Sequence, residues 1–132
     1  MEIIISEVQT RVPVEVFRLN GEFDANSARA FDEEARKAVQ GGAQDVLLDL
    51  AKVDFMSSAG IRSISMLYNE LCLDCSESER AAINKGIRDG TYKAAHLKLL
   101  KPSKRVSMVL QMAGLDMFLE IFDDERKALS SF

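Results

Sequence analysis

Residues 46–61 read VLLDLAKVDFMSSAGI, a sequence that predicts a strand followed by a helix. It begins with a continuous apolar run, which is typical of a strand in a parallel sheet that is covered on both faces. We therefore predict a buried strand over residues 45–50. Apolar side chains then recur with the 3.6-residue period of an α-helix over residues 61–72. The two serines between these elements, Ser57 and Ser58, are thus predicted to lie at or just before a helix N-terminus.

The chain before this stretch predicts a hairpin followed by a helix. Residues 2–8 and 12–19 are apolar and β-branched, which favours two short strands joined by a turn. Residues 21–27 interrupt the pattern and supply oxygens that can cap a helix. Apolar residues at helical spacing follow over residues 28–38, and the pair Gly41-Gly42 marks the end of this helix.

The C-terminal part of the chain continues the alternation of strands and helices. We predict a strand over residues 96–100 and a helix over residues 103–113 that Gly114 closes. A short strand is expected within residues 115–122, and a final helix is expected over residues 123–129 with Asp123 as its cap. This order predicts an α/β fold with a mixed sheet of four or five strands.

Length and composition favour one compact domain. The chain has 132 residues, of which 47% are apolar and 29% are charged, as in ordinary globular proteins. We predict a single domain over residues 1–132. Residues from about 73 to 95 exceed the ~2–6 residues of a usual connection between a helix and a strand, so they are predicted to be an insertion with helical or loop structure of its own.

Charge and hydropathy narrow the classes of partner. Seventeen Lys and Arg against 21 Asp and Glu give a net charge of −4, which lacks the basic footprint of a nucleic-acid binder. The apolar runs are far shorter than the ~18 residues of a membrane span, so direct membrane insertion is not expected. The N-terminus has an acid where a signal peptide would carry Lys or Arg, and we expect a cytoplasmic protein.

Catalytic and metal-binding chemistry find little support in the sequence. Cys72 and Cys75 have a Cys-x-x-Cys spacing, but the first cysteine falls near the predicted C-terminal end of a helix, where the dipole disfavours a thiolate. These two thiols and the single histidine, His96, do not complete the four ligands of a structural zinc site. No glycine-rich nucleotide loop is present either. We therefore predict no catalytic residue, no metal site and no cofactor of the protein's own.

The serine pair is the most suggestive element on physical grounds. A phosphate on a serine at a helix N-terminus meets free N–H groups and the positive end of the helix dipole. It also changes the local charge by about −1.5 to −2. The alternative is that Ser57 or Ser58 only caps the second helix. These two interpretations remain open on the residues alone.

Three stretches together resemble the STAS domain, the family named for sulphate transporters and anti-sigma factor antagonists. Residues 19–24 (LNGEFD) are similar to the family's L-x-G-E-L-D, residues 46–61 to its strand and F-M-D-S-S-G-L loop, and residues 112–115 (MAGL) to its M-S-G-L. They occur in the family's order. The resemblance implies a mixed sheet with helices packed mainly on one side.

The resemblance also implies a function. Free-standing bacterial members of the family antagonise anti-sigma factors by partner switching. The unphosphorylated protein binds an anti-sigma factor that is also a serine kinase. The kinase phosphorylates a loop serine with its own ATP and Mg²⁺, the complex dissociates, and a serine phosphatase resets the system. Such a protein is not an enzyme.

The family's D-S-S-G motif falls on residues 57–60, which places the phosphorylated serine on Ser58. Ser57 stands where the family has an acid, and Ala59 where it has the second serine, so Ser57 is the second choice of acceptor. The resemblance places Asp24 and the serine motif at the partner surface, and the residues around the loop are expected to add apolar contact and one positive charge. The predicted partner-binding residues are Asp24, Met56, Ser57, Ser58, Ala59, Gly60, Ile61 and Arg62. The alternative function is a scaffold or subunit of a larger signalling or transport assembly that uses the fold without phosphorylation.

Overall fold

A computed structural model describes residues 1–71, Lys85 and residues 93–132. Its strands are β1 (Glu2–Gln9), β2 (Pro13–Phe23), β3 (Val46–Met56), β4 (Leu97–Leu100) and β5 (Ile121–Phe122). Its described helices are α1 (Ala25–Gln40), α2 (Ser58–Leu71), α3 (Lys104–Met112) and α4 (Glu125–Ser130), with a 3₁₀ turn over Leu115–Met117.

The five strands form one mixed sheet in the order β1-β2-β3-β4-β5. Strand β1 is antiparallel to β2, with Ile4 opposite Arg18, and the other neighbours are parallel. Leu48 lies at the centre, paired with Phe17 on one side and Leu99 on the other. The predicted α/β class, the mixed sheet and the N-terminal hairpin are therefore confirmed.

The larger core lies between the sheet and the helices α1, α2 and α3. Phe31 of α1 packs edge-on against Phe17, with ring centroids 5.9 Å apart. Ile64 of α2 and Val106 of α3 are fully buried in the same core. Burial of such side chains contributes about 1.5–3 kcal/mol each, so this face supplies most of the hydrophobic stabilisation.

A smaller core lies on the opposite face of the sheet, because side chains alternate along each strand. It is closed by α4 and the residues that follow it, and consists of Val14, Val16, Leu47, Leu100, Ala128 and Phe132. Buried Lys98 lies on this face too, where its Nζ donates to the carbonyl and hydroxyl of Ser131 at 2.9 Å. The predicted placement of helices mainly on one side is confirmed, with α4 as the exception.

Strands β2 and β3 are longer than predicted. Both continue beyond the expected ends at residues 19 and 50, to Phe23 and Met56. Gly21 adopts φ = +121°, and shifts of register between β2 and β3 let the pairing continue through this region. Polar residues are tolerated here because β4 ends opposite Asp49, so the extension lies outside the fully covered part of the sheet.

The other predicted boundaries hold with small corrections. The final helix is capped by Asp124 rather than Asp123, since the Asp124 carboxylate accepts from two N–H groups of the first turn. Gly114 has φ = +77° and ends α3 as predicted. The predicted insertion lies almost wholly outside the described residues, as do Cys72 and Cys75.

Candidate phosphorylation and partner-binding site

The carboxyl ends of β2 and β3 bring two predicted site segments together. Phe23 and Met56, the last residues of the two strands, are paired in the sheet. The main-chain N–H of Ser57 donates to the Phe23 carbonyl at 2.9 Å, and the Ser57 hydroxyl donates to the same oxygen at 3.2 Å. Asp24 and Ser57, which follow directly, therefore lie side by side.

Ser57 and Ser58 have different environments. The carbonyl of Ser57 accepts the first helical hydrogen bond of α2, from Ile61 N–H at 3.1 Å, and Ser58 is the first residue of the helix. Ser57 is half-buried and its hydroxyl is engaged with Phe23. Ser58 is exposed, and its hydroxyl makes no hydrogen bond to the described residues. The predicted position at the helix start is confirmed, and Ser58 is the accessible hydroxyl of the pair.

The start of α2 sits tightly on the strand ends. A Cβ atom added to Gly60 would lie 3.0 Å from Met56 Cγ and 3.1 Å from the Phe23 ring. Gly60 is therefore the residue that lets the helix approach so closely. Met56 and Gly60 were both predicted to bind the partner, but both are buried, so they position the serine loop without presenting exposed side-chain surface.

Asp24 is the N-cap residue of α1. Its carboxylate accepts from the N–H of Asn26 at 3.1 Å and of Ser27 at 3.0 Å, while the Ser27 hydroxyl accepts from Asp24 N–H at 2.8 Å. These reciprocal bonds form a capping box. Hydrogen bonds from Ser27 hold the pKa of Asp24 below its ordinary value, so the carboxylate is ionised beside the serine loop.

The remaining predicted residues surround Ser58 on α2. Ala59 and Ile61 are half-buried and pack against the larger core. Arg62 is exposed and lies four residues after Ser58, the spacing that places two side chains on one face of a helix. The structure thus brings an exposed hydroxyl, an ionised carboxylate and an exposed guanidinium to one end of the sheet.

Sequence reasoning missed two residues that shape this site. Phe23 supports both helix starts, since its ring lies beneath Gly60 of α2 and packs on Phe31 of α1 with centroids 5.1 Å apart. Phe55 is 42% exposed next to the serine loop and adds apolar surface there. The LNGEFD stretch contained the first signal, because Phe23 is its apolar residue next to Asp24.

Within the described part of the chain, no group of three or more His, Cys, Asp and Glu residues is arranged to hold a metal ion. His96 precedes β4, and its Nδ1 lies 2.9 Å from the Asp45 carboxylate. Among the described helices, none is long and apolar enough to cross a membrane.

Comparison with solved structures shows a shared fold. An anti-sigma factor antagonist from Mycobacterium paratuberculosis superposes with a TM-score of 0.70 at 16% identity, over 98% of this chain and 93% of that chain. The anti-sigma factor antagonist SpoIIAA in its unphosphorylated form superposes with a TM-score of 0.68 at 23% identity, over 96% of this chain and 92% of that chain.

Two further structures widen the comparison. Phosphorylated SpoIIAA, a Bacillus cell fate determinant, superposes with a TM-score of 0.63 at 22% identity, over 96% of both chains. A sulfate transporter family protein from Wolinella succinogenes gives 0.56 at 20% identity, over 89% of this chain and 82% of that chain. The fold is therefore shared by anti-sigma factor antagonists and by transporter-associated proteins.

Comparison by sequence identifies the family directly. A search of curated proteins finds no match. The family model of the STAS domain matches residues 6–74, slightly more than half of the chain. This range contains two of the three stretches on which the resemblance rested, together with β2, β3 and the serine loop. The chain therefore belongs to the STAS domain family.

Proposed function

We propose that this protein is an anti-sigma factor antagonist that acts by partner switching, with Ser58 as the phosphorylated residue. The observation that carries the proposal is the exposed Ser58 hydroxyl at the first residue of α2, which makes no hydrogen bond to the described residues. An acceptor must present such a hydroxyl to a kinase. Phosphorylated and unphosphorylated SpoIIAA both share this fold, which supports the choice.

The unphosphorylated protein binds an anti-sigma factor that is also a serine kinase. The contact surface is the serine loop with the exposed parts of Asp24, Phe55 and Arg62. Phe55 supplies apolar area and Arg62 a positive charge at the rim, the composition expected of a regulatory interface. ATP and Mg²⁺ belong to the kinase, so the chain needs no catalytic group or cofactor of its own.

Phosphorylation switches the partner by electrostatics. A phosphate on Ser58 adds about −1.5 to −2 charges beside the ionised Asp24 carboxylate, and a dianion at an interface must be desolvated when the partner binds. A cost of a few kcal/mol lowers the affinity by orders of magnitude. The N-terminus of α2 accommodates the phosphate within the folded monomer, so no large conformational change is required. A serine phosphatase then restores the binding form.

The proposal is tested with matched variants as baits in a native cell lysate. Wild-type protein and Ser58→Ala are expected to retain a serine kinase or anti-sigma factor that Ser58→Asp loses. Ser6→Asp adds the same charge at an exposed position on β1, away from the loop, and is expected to retain the partner. Retention by Ser58→Asp, or loss by Ser6→Asp as well, contradicts the proposal.

Purified kinase from such a bait separates Ser58 from Ser57. Radiolabelled ATP is expected to phosphorylate wild type and Ser57→Ala but not Ser58→Ala, because the Ser57 hydroxyl is engaged with the Phe23 carbonyl. Incorporation that persists in Ser58→Ala and disappears in Ser57→Ala assigns the acceptor to Ser57.

A second candidate function is a scaffold within a signalling or transport assembly. The likeness to a sulfate transporter family protein favours it. A scaffold retains the same non-kinase protein on wild type, Ser58→Ala and Ser58→Asp. The bait experiment therefore distinguishes the two functions directly.

A further inference from the structure

A second feature lies at the other end of the sheet, in a shallow, widely open cleft of about 600 Å³ between the β1–β2 turn and α4. Its lining consists of Thr10, Arg11, Arg126, Lys127, Leu129 and Ser130. Three of the six are cations, two carry hydroxyls, and none is a carboxylate. This is a concentrated positive site on a chain whose net charge is −4.

We propose that this cleft binds a phosphate-bearing small molecule. Arg126 and Lys127 are exposed and form no ion pair with the described residues. Arginine offers a planar fork of donors that matches phosphate oxygens, and lysine adds a compact charge. Leu129 is half-buried in the same cleft and provides an apolar contact for the body of the ligand.

Two of the three acids that directly precede these cations in the sequence make hydrogen bonds elsewhere. Glu125 Oε1 accepts from Arg18 at 2.6 Å, and the Asp124 carboxylate accepts from the main-chain N–H groups of Arg126 and Lys127. Neither Asp124 nor Glu125 pairs with the side chain of Arg126 or Lys127, so the donors of these two side chains are available to a ligand.

The main chain on both sides of the cleft is held in place before any ligand binds. Arg11 donates to the Phe132 carbonyl at 2.5 Å, which ties the β1–β2 turn to the residues after α4. Lys98 donates to Ser131, and Arg18 bridges Asp49 of β3 and Glu125 of α4. Because the main chain is fixed, binding costs conformational entropy mainly in the side chains of Arg126 and Lys127.

The cleft is remote from the serine loop. Thr10 and Arg11 precede the first residue of β2, whereas Asp24 follows its last residue. An 11-residue strand spans roughly 30 Å at the usual rise per residue. The proposed ligand site is thus independent of the proposed phosphorylation of Ser58.

The test is a titration of the ¹⁵N-labelled protein followed by NMR, with inorganic phosphate and phenyl phosphate as probes. Both probes are expected to give saturable shifts in the amide signals of residues 10–11 and 126–130. Phenyl phosphate is expected to bind more tightly, because its ring contacts Leu129. Raising NaCl from about 0.05 to about 0.3 M is expected to weaken both, since screening acts on charge attraction.

Two charge-matched variants decide whether the cleft is the site. Arg126→Gln with Lys127→Gln is expected to weaken phenyl phosphate binding by about tenfold or more. Arg29→Gln with Arg36→Gln removes two exposed cations from α1 and is expected to leave the affinity unchanged. Equal weakening in both variants, no weakening in the first, or shifts that do not saturate overturn the proposal. Ser58→Asp is expected to bind the probe as wild type does.

Discussion

The N-termini of α1 and α2 have similar positions in the fold but different capping. Each helix begins just after one of two neighbouring parallel strands, and both starts rest on Phe23. In α1, Asp24 and Ser27 satisfy each other in a capping box. In α2, the first side chain is Ser58, which is exposed and makes no hydrogen bond to the described residues.

This difference separates a structural helix start from one that is open to chemistry. A capping box satisfies donors of the first turn and leaves little for a ligand to gain. An exposed hydroxyl at a helix start leaves the positive end of the dipole available to a phosphate. The same local fold therefore gives α1 a fixed end and α2 a modifiable one.

Loss of the shared support is expected to have the largest effect. Phe23→Ala removes a fully buried ring beneath both helix starts, and such truncations cost about 3–5 kcal/mol of unfolding free energy. Urea unfolding measures this loss. Hydrogen exchange is expected to show weaker protection of both first helical amides, Ala28 N–H and Ile61 N–H.

Phe55→Ala is the matched control. Phe55 lies one residue before the end of β3 but is 42% exposed, so its removal is expected to cost less than about 1 kcal/mol. If Phe23→Ala loosens only one of the two helices, the idea of a shared support is wrong.

Sequence patterns predicted the starts of these two helices better than the ends of the preceding strands. The 3.6-residue period and the serine pair located α2, and Asp24 was already among the capping oxygens. The end of β2 was missed because the apolar pattern is interrupted from Gly21 onward, and the end of β3 was missed because its apolar run stops at Leu50. Pairing in the sheet and a positive φ at Gly21 overrode that local signal.

The face of the sheet on which α4 packs was not predicted, for a different reason. The existence of α4 was predicted, but the sequence did not show that it packs on the opposite face from the other helices. That face is formed by alternate residues of separate strands, such as Val16, Leu47 and Leu100. The continuous apolar run of β3 predicted that the strand is covered on both faces, but it did not show which element covers the second face.

An intermediate effect is expected from the charge of Asp24. Its pKa in the folded protein lies below the ordinary value of 3.8, so ionisation stabilises the fold at neutral pH. This stabilisation is lost as the pH falls through the folded pKa. Asp24→Asn keeps an acceptor for the α1 cap but cannot ionise. When the pH is lowered below the ordinary carboxyl pKa, the urea midpoint of this variant is therefore expected to decrease less than that of wild type. Urea unfolding from neutral to acidic pH measures it.

Asp54→Asn provides the control for this prediction. It removes a carboxylate from the same end of the sheet but leaves the capping box intact. This variant is expected to keep the acid-dependent decrease that Asp24 produces. If Asp24→Asn and Asp54→Asn show the same pH dependence of the urea midpoint, the charge of Asp24 does not stabilise the α1 cap.

The smallest expected effect compares a new negative charge at each helix start. Neither α1 nor α2 has an acid in its first turn. Ser58→Asp places a carboxylate at the open end of α2, where the helix dipole is expected to stabilise the fold by about 0.3–1 kcal/mol, less the repulsion from Asp24 across the strand ends. Asn26→Asp makes the same charge change at α1, where the Asp24 carboxylate already occupies the N-terminus and repels it. Its gain is therefore expected to be smaller, and urea unfolding at low ionic strength measures both.

If the two variants are stabilised equally, the start of α2 is no more open to a negative charge than the start of α1. Because Ser58→Asp is expected to stabilise the monomer, loss of the partner by that variant reflects the interface and not unfolding.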